Sequence, residues 1–419
     1  MSRKVYSLLC VIIFYSSMIP AQADSSKEAL GLHEALTMAY QQNPRVVQAR
    51  KAIEGAQGSL ITTRTWANPQ VEAEIGGLRK SEDGSRKGHL DTFSIKQPFD
   101  PPGVRSLRSK IGKNRIEIQE QALKEVWSDV YVEVRSVYAK LILNKKEQEL
   151  KRNNLNSMRQ FFSDVQVRYQ SGQALKNHVQ RAKIELLKAE SDYLRIENDL
   201  EIDKARLNLL LGRKRDVSFE IKDDLKEEKL TLNLEQLIDI ALNKRPDIKI
   251  AETLLNSKEK DVTKESLSRL PSYALGFQMI DEEFEKDYAV IIEVSLPLWN
   301  LNQGEVKRSK AERDAQEIKV EAMKNEIAFD VYVAYKDAQL AIKQIGLYRQ
   351  SLVEANEMFR LAGLRFREGH IDFLNYLDQL LASLDSRMQY YQGLYQLNQN
   401  INMLEKAVYS SLREEAFLP

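Results

Sequence analysis

Cysteine is almost absent: the chain has one, Cys10. It lies in a short apolar run near the N-terminus that is expected to be cleaved off, so neither disulfides nor thiol chemistry can support the rest. Histidine is scarce as well. His33, His89, His178 and His370 include no pair at the i, i+3 or i+4 spacing that sets two ligands on one helix face. There is no glycine-rich phosphate loop and no nucleophile elbow. No catalytic residue, metal site or cofactor is therefore expected, and His370 reads as an exposed loop residue. Excess charge is also missing. Bases number 62 and acids 61, interspersed along the chain, and a net charge of +1 argues against a nucleic-acid partner. Finally, no later segment approaches eighteen consecutive apolar residues, which removes spanning helices.

What is present begins with an export signal. Arg3 and Lys4 precede an apolar run from Val5 to Tyr15, and "AQA" ends at Ala23. A basic start, a short apolar core and small residues before the cut describe a secretory signal over residues 1–23. A membrane anchor would need a longer run. No cysteine stands at the expected new N-terminus, so no lipid attachment is expected there. The exported chain, long enough for a large core, either stays soluble or enters a membrane as strands.

The exported part repeats itself. "LHEALTMAYQQNP", Leu32 to Pro44, aligns with "LEQLIDIALNKRP", Leu234 to Pro246, at an offset of 202. The same offset carries Ala49 onto Ala251 and Pro69 onto Pro271. "IKQPF" ending at Phe99 matches "VSLPL" ending at Leu298 at 199, and "VRYQSGQ" matches "LRFREGH" at 197, Gly172 onto Gly369. Slowly drifting offsets mean one duplicated unit with small deletions in its loops. Residues 24–231 form the first copy and 232–419 the second.

Each copy reads as helices, a strand pair, then a long helical hairpin. The first helix breaks at Pro44 or Pro246, because proline suits a helix start and not its middle. A second helical run reaches about Arg64 or Arg269. A β-hairpin of two strands follows in each copy, at about 70–97 and about 272–296, with Tyr273, Leu275, Phe277 and Met279 alternating with small and polar residues. Tyr288, Val290, Ile292 and Val294 alternate in the partner strand. Val71, Ala73 and Ile75, then Phe93 and Ile95, repeat the pattern more weakly in the first copy. Period-two alternation gives one apolar and one polar face. Such a face fits either a membrane wall or a soluble hairpin pair over a core. Four strands cannot close a barrel alone, so a membrane wall would need several chains. "KSEDGSRKG", Lys80 to Gly88, and "DEEFEKD", Asp281 to Asp287, read as solvated loops.

From Gly103 to Tyr169 there is no proline, and at about 1.5 Å per residue such a helix runs on the order of 100 Å. Leu123, Trp127, Val130, Val134, Val137 and Leu141 fall in alternating steps of four and three. Ile327, Val331, Ala334, Ala338, Ala341, Ile345, Tyr348, Leu352, Ala355, Phe359, Ala362 and Phe366 keep the rhythm throughout. That spacing predicts coiled-coil seams. Glycine accepts the positive φ of a tight reversal, so Gly172 and Gly369 mark hairpin tips near 170–174 and 367–371. Returning helices are expected to about Leu211 and Leu412. Each falls short of the outgoing helix by the length of the helix after Pro44 or Pro246, so the two short helices are expected to stack end to end beside the long one.

The duplicated "L..AL..A...NP" start, the paired strand hairpins and the "RYQSGQ" and "RFREGH" tips resemble the TolC family of outer-membrane efflux proteins over the whole exported chain. "QPFDPPGVR", Gln97 to Arg105, is similar to the strand-to-helix turn of its heavy-metal efflux branch. The resemblance implies an α+β membrane protein: a homotrimer whose shared β-barrel of twelve strands sits in outer-membrane lipid above a periplasmic tunnel of long antiparallel coiled-coil helices. It implies a passive exit duct, not an enzyme, reached by a periplasmic adaptor protein and an inner-membrane transporter of the resistance-nodulation-division type. By the same resemblance Arg168, Tyr169, Gly172, Arg365, Phe366 and Gly369 belong to the adaptor-facing tips. Asn375 and Asp378 fall where inward residues ring the periplasmic mouth, while Phe366 and Ile371 stand where relatives carry a locking tyrosine and arginine. Metal cations, drugs and polypeptides all remain open as cargo. A type I protein secretion duct and a structural periplasmic stalk stand as the alternative readings.

Overall fold

The computed structural model describes residues 28–76, 90–228, 230–282 and 285–412. The expected signal segment with Cys10 and the loop from Lys80 to Gly88 lie outside them. The stretch from Asp281 to Asp287, expected as a solvated loop, is instead strand up to Glu282 and again from Glu285, because the hairpin ladder continues through the pairs Asp281–Lys286 and Glu282–Glu285. The first half carries β1 (Glu28–Leu30), α1 (Leu32–Gln42), α2 (Pro44–Arg64), β2 (Gln70–Glu74), β3 (Leu90–Phe99), α3 (Val104–Gln170) and α4 (Lys176–Leu210). β4 (Phe219–Ile221) then leads to α5 (Leu234–Lys244), α6 (Pro246–Leu267), β5 (Ser272–Glu282), β6 (Glu285–Ser295), α7 (Gln303–Arg367) and α8 (Phe373–Val408).

The proline breaks are where expected. Asn43 and Arg245, each preceding a proline, are extended (ψ 127° and 132°), because the proline ring clashes with a helical residue before it. Two helix ends differ from expectation. α6 stops at Leu267, where Leu270 already donates a turn bond to the Leu267 carbonyl, and α8 stops at Val408 because Tyr409 is left-handed at φ 54°.

Every seam position of α7 from Ile327 to Phe366 is buried or half-buried, as is the Leu123–Leu141 series of α3. The seams close antiparallel hairpins of α3 with α4 and α7 with α8. Around α3 the neighbours change along its length: α2 and α6 flank its first half, α4 and α8 its second. The short helices do stack end to end. At one joint Asn43 Nδ2 donates to the Leu210 carbonyl at the end of α4 (2.8 Å). At the other, Arg245 Nη1 donates to the Ala407 carbonyl at the end of α8 (3.3 Å). Both copies thus use the residue before the proline to satisfy a last-turn carbonyl left open by helix geometry.

The joints form a belt around the largest buried apolar cluster among the described residues. Trp127, Tyr131, Val134, Tyr138 and Leu141 of α3 pack there with Ala35, Leu36 and Ala39 of α1, Leu207 and Leu211. β1 and β4 pair in parallel across this core. Tyr138 donates to Asp223 Oδ2 (2.6 Å) and to the Leu30 carbonyl (3.0 Å), and burial, then the Asp223 bond, pushes its phenol well above the ordinary range. An ion pair joins the halves here: Arg135 of α3 lies 3.9 Å from Glu405 of α8, both almost fully buried. Buried pairs of this kind pin a register more than they stabilise.

At the far end of the helices sits one antiparallel sheet of four strands, ordered β2-β3-β5-β6. The register sets Tyr273 level with Phe99 and Val294, Phe277 level with Ile95 and Val290, and Met279 level with Phe93 and Tyr288. One face is therefore continuously apolar, and exposed. On the other, Lys96 lies between Glu72 (3.8 Å) and Glu293 (3.3 Å). Among the described residues β2 and β6 each have a partner on one side only. Among the described residues no helix is long and apolar enough to cross a membrane.

Candidate functional site

The hairpin tips lie at the end of the molecule opposite the sheet, and both are built alike. At the first, Gly172 (φ 75°) donates to the Tyr169 carbonyl (3.0 Å) and Gln173 to that of Arg168 (2.8 Å). At the second, Gly369 (φ 78°) donates to the Phe366 carbonyl (3.2 Å) and His370 to that of Arg365 (2.8 Å). A left-handed glycine whose N–H, with that of the residue after it, folds back onto the last-turn carbonyls is the glycine helix stop. The restart of α8 is capped by Asp372, whose Oδ1 accepts from the Asn375 amide (2.8 Å). The sequence signature of that cap is an acidic residue three positions before Asn375, a signal absent from the motifs above.

The two tips of one chain also meet. The Arg168 guanidinium lies 5.9 Å from the centroid of the Phe366 ring, which stacks on Tyr376 at 4.9 Å and 16°. Tyr376 in turn contacts Phe359 at 5.8 Å. Arg168, Tyr169, Gly172, Arg365 and Gly369 are exposed, and Phe366 is half-buried beneath Arg168. Neither arginine forms an ion pair among the described residues. Val167, Leu175, Leu364 and Leu374 add exposed apolar surface around them. Removing the ring with Phe366→Leu is expected to uncouple the tips by about 0.5–1 kcal/mol, the size of a half-exposed cation–π contact. A double-mutant cycle with Arg168→Ala, read by denaturant unfolding of the detergent-solubilised protein, measures that coupling.

Leu377, 3 % exposed, inserts into a core of Leu155, Met158, Phe161 and Val165 from α3 with Ala182 and Ala189 from α4. Asn375 and Asp378 are three residues apart on α8, about 160° and about 100° round the helix from Leu377, and both are exposed. No group of three or more potential metal-binding side chains is found among the described residues. His370 Nε2 lies 3.6 Å from Glu368 Oε2 on the open tip, a contact within one loop.

Known proteins share this architecture. The profile of the outer membrane efflux protein family matches residues 35–213 and 237–408, one segment in each copy. The cobalt-zinc-cadmium resistance protein CzcC of Cupriavidus metallidurans is 21% identical over 397 residues, covering 93% of both chains. The nickel-cobalt-cadmium resistance protein NccC of Alcaligenes xylosoxydans xylosoxydans is 20% identical over 72% of this chain and 68% of its own. Among solved structures, the outer-membrane channel OprN superposes with a TM-score of 0.78 at 17% identity, covering 91% of this chain and 90% of its own. CusC, described as forming a transmembrane channel, gives 0.75 at 16% identity, covering 90% and 91%.

Proposed function

Because the chain belongs to the outer membrane efflux protein family, and so is an efflux channel with its helical tunnel in the periplasm, we propose that it is the passive exit duct of a tripartite pump for divalent heavy-metal cations. The observation that carries the assembly is the sheet. It has four strands, one exposed apolar face and two edges open for pairing. Four strands cannot close on themselves. Three copies joined β6 to β2 give twelve strands, enough for a wall with its apolar face toward lipid. The helices then close a tunnel beneath it. The cargo class rests on the heavy-metal resistance named for CzcC and NccC, to which the chain is similar over most of its length.

In this reading the segment 1–23 directs export, and the pump in the inner membrane supplies the energy. Arg168, Tyr169, Gly172, Arg365, Phe366 and Gly369 present the tips to a periplasmic adaptor. The exposed guanidiniums meet carboxylates of the adaptor, and the apolar residues beside them meet its helices. Asn375 and Asp378 face the mouth. Three Asp378 carboxylates, one from each copy, draw cations into a narrow opening.

Deleting the gene from its host is expected to lower tolerance to zinc, cobalt and cadmium several-fold, with recovery on re-expression. Unchanged tolerance in a strain lacking other ducts counts against the metal assignment. Asp378→Asn is expected to reduce cation-over-anion permeability several-fold in a planar bilayer under a salt gradient. An unmoved reversal potential removes Asp378 from the mouth.

A further inference from the structure

At the helix end of the sheet an aromatic series runs from the apolar face to a cation. Phe99 closes β3 level with Tyr273, and the two rings stack at 5.5 Å. Trp66, in the link between α2 and β2, meets Phe99 edge-on at 5.3 Å. The guanidinium of Arg105, in the first turn of α3, lies 4.0 Å from the Trp66 centroid. Phe99 and Tyr273 belong to the face turned to lipid. Trp66 and Arg105 therefore stand at the periplasmic border of that face, the depth of indole rings and lipid phosphates in a bilayer.

Arg105 is held in place there. Its Nε and Nη2 both donate to the Arg64 carbonyl (2.9 and 2.6 Å), and one face of the fork is covered by the indole. Its Nη1 has no partner among the described residues, and no carboxylate pairs with it. Two neighbours in the turn differ: Arg108 is neutralised by Asp100, and Ser109 Oγ accepts from Arg64 Nε (3.1 Å). The second copy is built otherwise. With Arg108–Ser109–Lys110 laid on Arg308–Ser309–Lys310, Glu305 falls close to the place of Arg105 and pairs with Arg308. An uncompensated cation in the first turn of a helix also opposes the helix dipole. A fixed guanidinium with a free edge is the group that suits a phosphate.

We propose that Arg105 and Trp66 seat the headgroup phosphate of an anionic phospholipid from the periplasmic leaflet. The phosphate accepts from Nη1 of Arg105, and an acyl chain lies along Phe99, Tyr273 and the apolar strand face. The seat is continuous with the lipid-facing surface and complements the charge of its occupant. Among the described residues it occurs once per chain. It rests on the membrane placement of the sheet and is independent of the cargo.

The test is thermal unfolding of the purified full-length protein in detergent, titrated with phosphatidylglycerol, phosphatidylcholine or inorganic phosphate. Phosphatidylglycerol is expected to raise the midpoint more than phosphatidylcholine, and Arg105→Gln is expected to lose at least half of that difference. Arg105→Lys, which keeps the charge on the indole, is expected to retain part of it, and Arg308→Gln all of it. Three results overturn the seat: equal rises with both lipids, an undiminished difference in Arg105→Gln, or the same rise with inorganic phosphate. Each of them leaves the membrane placement standing. Failure of the wild-type protein to insert into vesicles of either lipid would count against that placement itself.

Discussion

Trp127→Ala is expected to cost about 3–5 kcal/mol of folding stability, the range for removing a large aromatic side chain from a core that cannot collapse around the gap. Trp127 is 1 % exposed at the centre of the belt. Its ring meets Tyr40 of α1 at 5.0 Å and Tyr131 at 5.9 Å, both edge-on. Tyr40 is itself held by Arg50, whose guanidinium lies 4.5 Å above the ring and whose Nη2 donates to the Tyr40 carbonyl (2.8 Å). Deleting the indole leaves a void between α1 and α3 at the point where the α2–α4 joint is braced, and the long helices on either side cannot move in to fill it. The loss should appear as a lower denaturant midpoint by far-ultraviolet circular dichroism, with helix content in the native baseline retained. A shift below about 0.5 kcal/mol, the scale of an ordinary surface substitution, would mean that the belt repacks freely.

Gly212→Ala is expected to be nearly as damaging, at about 3 kcal/mol, whereas Gly172→Ala should cost only about 1 kcal/mol. Both glycines have positive φ, 71° and 75°, so the backbone penalty for a Cβ is shared. Their surroundings differ. A Cβ on Gly172 meets nothing within 4 Å, while one on Gly212 falls 2.5 Å from the Gln42 carbonyl oxygen and 2.9 Å from its carbon. The Gln42 backbone ends α1, one residue before the Asn43 joint, and cannot yield without breaking the contact of Asn43 with Leu210. The difference between the two variants therefore reports the closeness of the stacked helices, free of the φ term. Equal midpoints for Gly172→Ala and Gly212→Ala would show the joint to be loose.

How much of this was legible in the sequence follows from what each signal depends on. The duplication, the proline breaks, the seams and the tips depend on local spacing, and local spacing survives in one dimension. Thus Ala338, Ala341 and Ile345 could be placed on one buried stripe from their steps alone. Gly172 and Gly369 could be placed at reversals because their torsion angle is a property of the residue. The strand faces were legible for the same reason, although they left membrane wall and soluble hairpin equally open until family membership decided between them. β1 and β4 were missed because three-residue strands carry no period. The Arg135–Glu405 pair was invisible because its partners are 270 positions apart, and nothing local marks an arginine as destined for burial. The tip arginines and the Asn375–Asp378 face could be named from resemblance alone. Their exposure and the contact of Arg168 with Phe366 needed the fold.

The bare margins of the sheet carry a cost before assembly. Backbone N–H and C=O groups along the outer sides of β2 and β6 lack strand partners among the described residues of the single chain, and such rows are templates for promiscuous pairing. A newly exported copy crossing the periplasm is thus both water-averse on one face and adhesive along two lines. If three copies close one wall as proposed, they have to meet faster than a single copy pairs in the wrong register. Biogenesis of this duct is for that reason a race between orderly closure and clumping, decided before any solute moves.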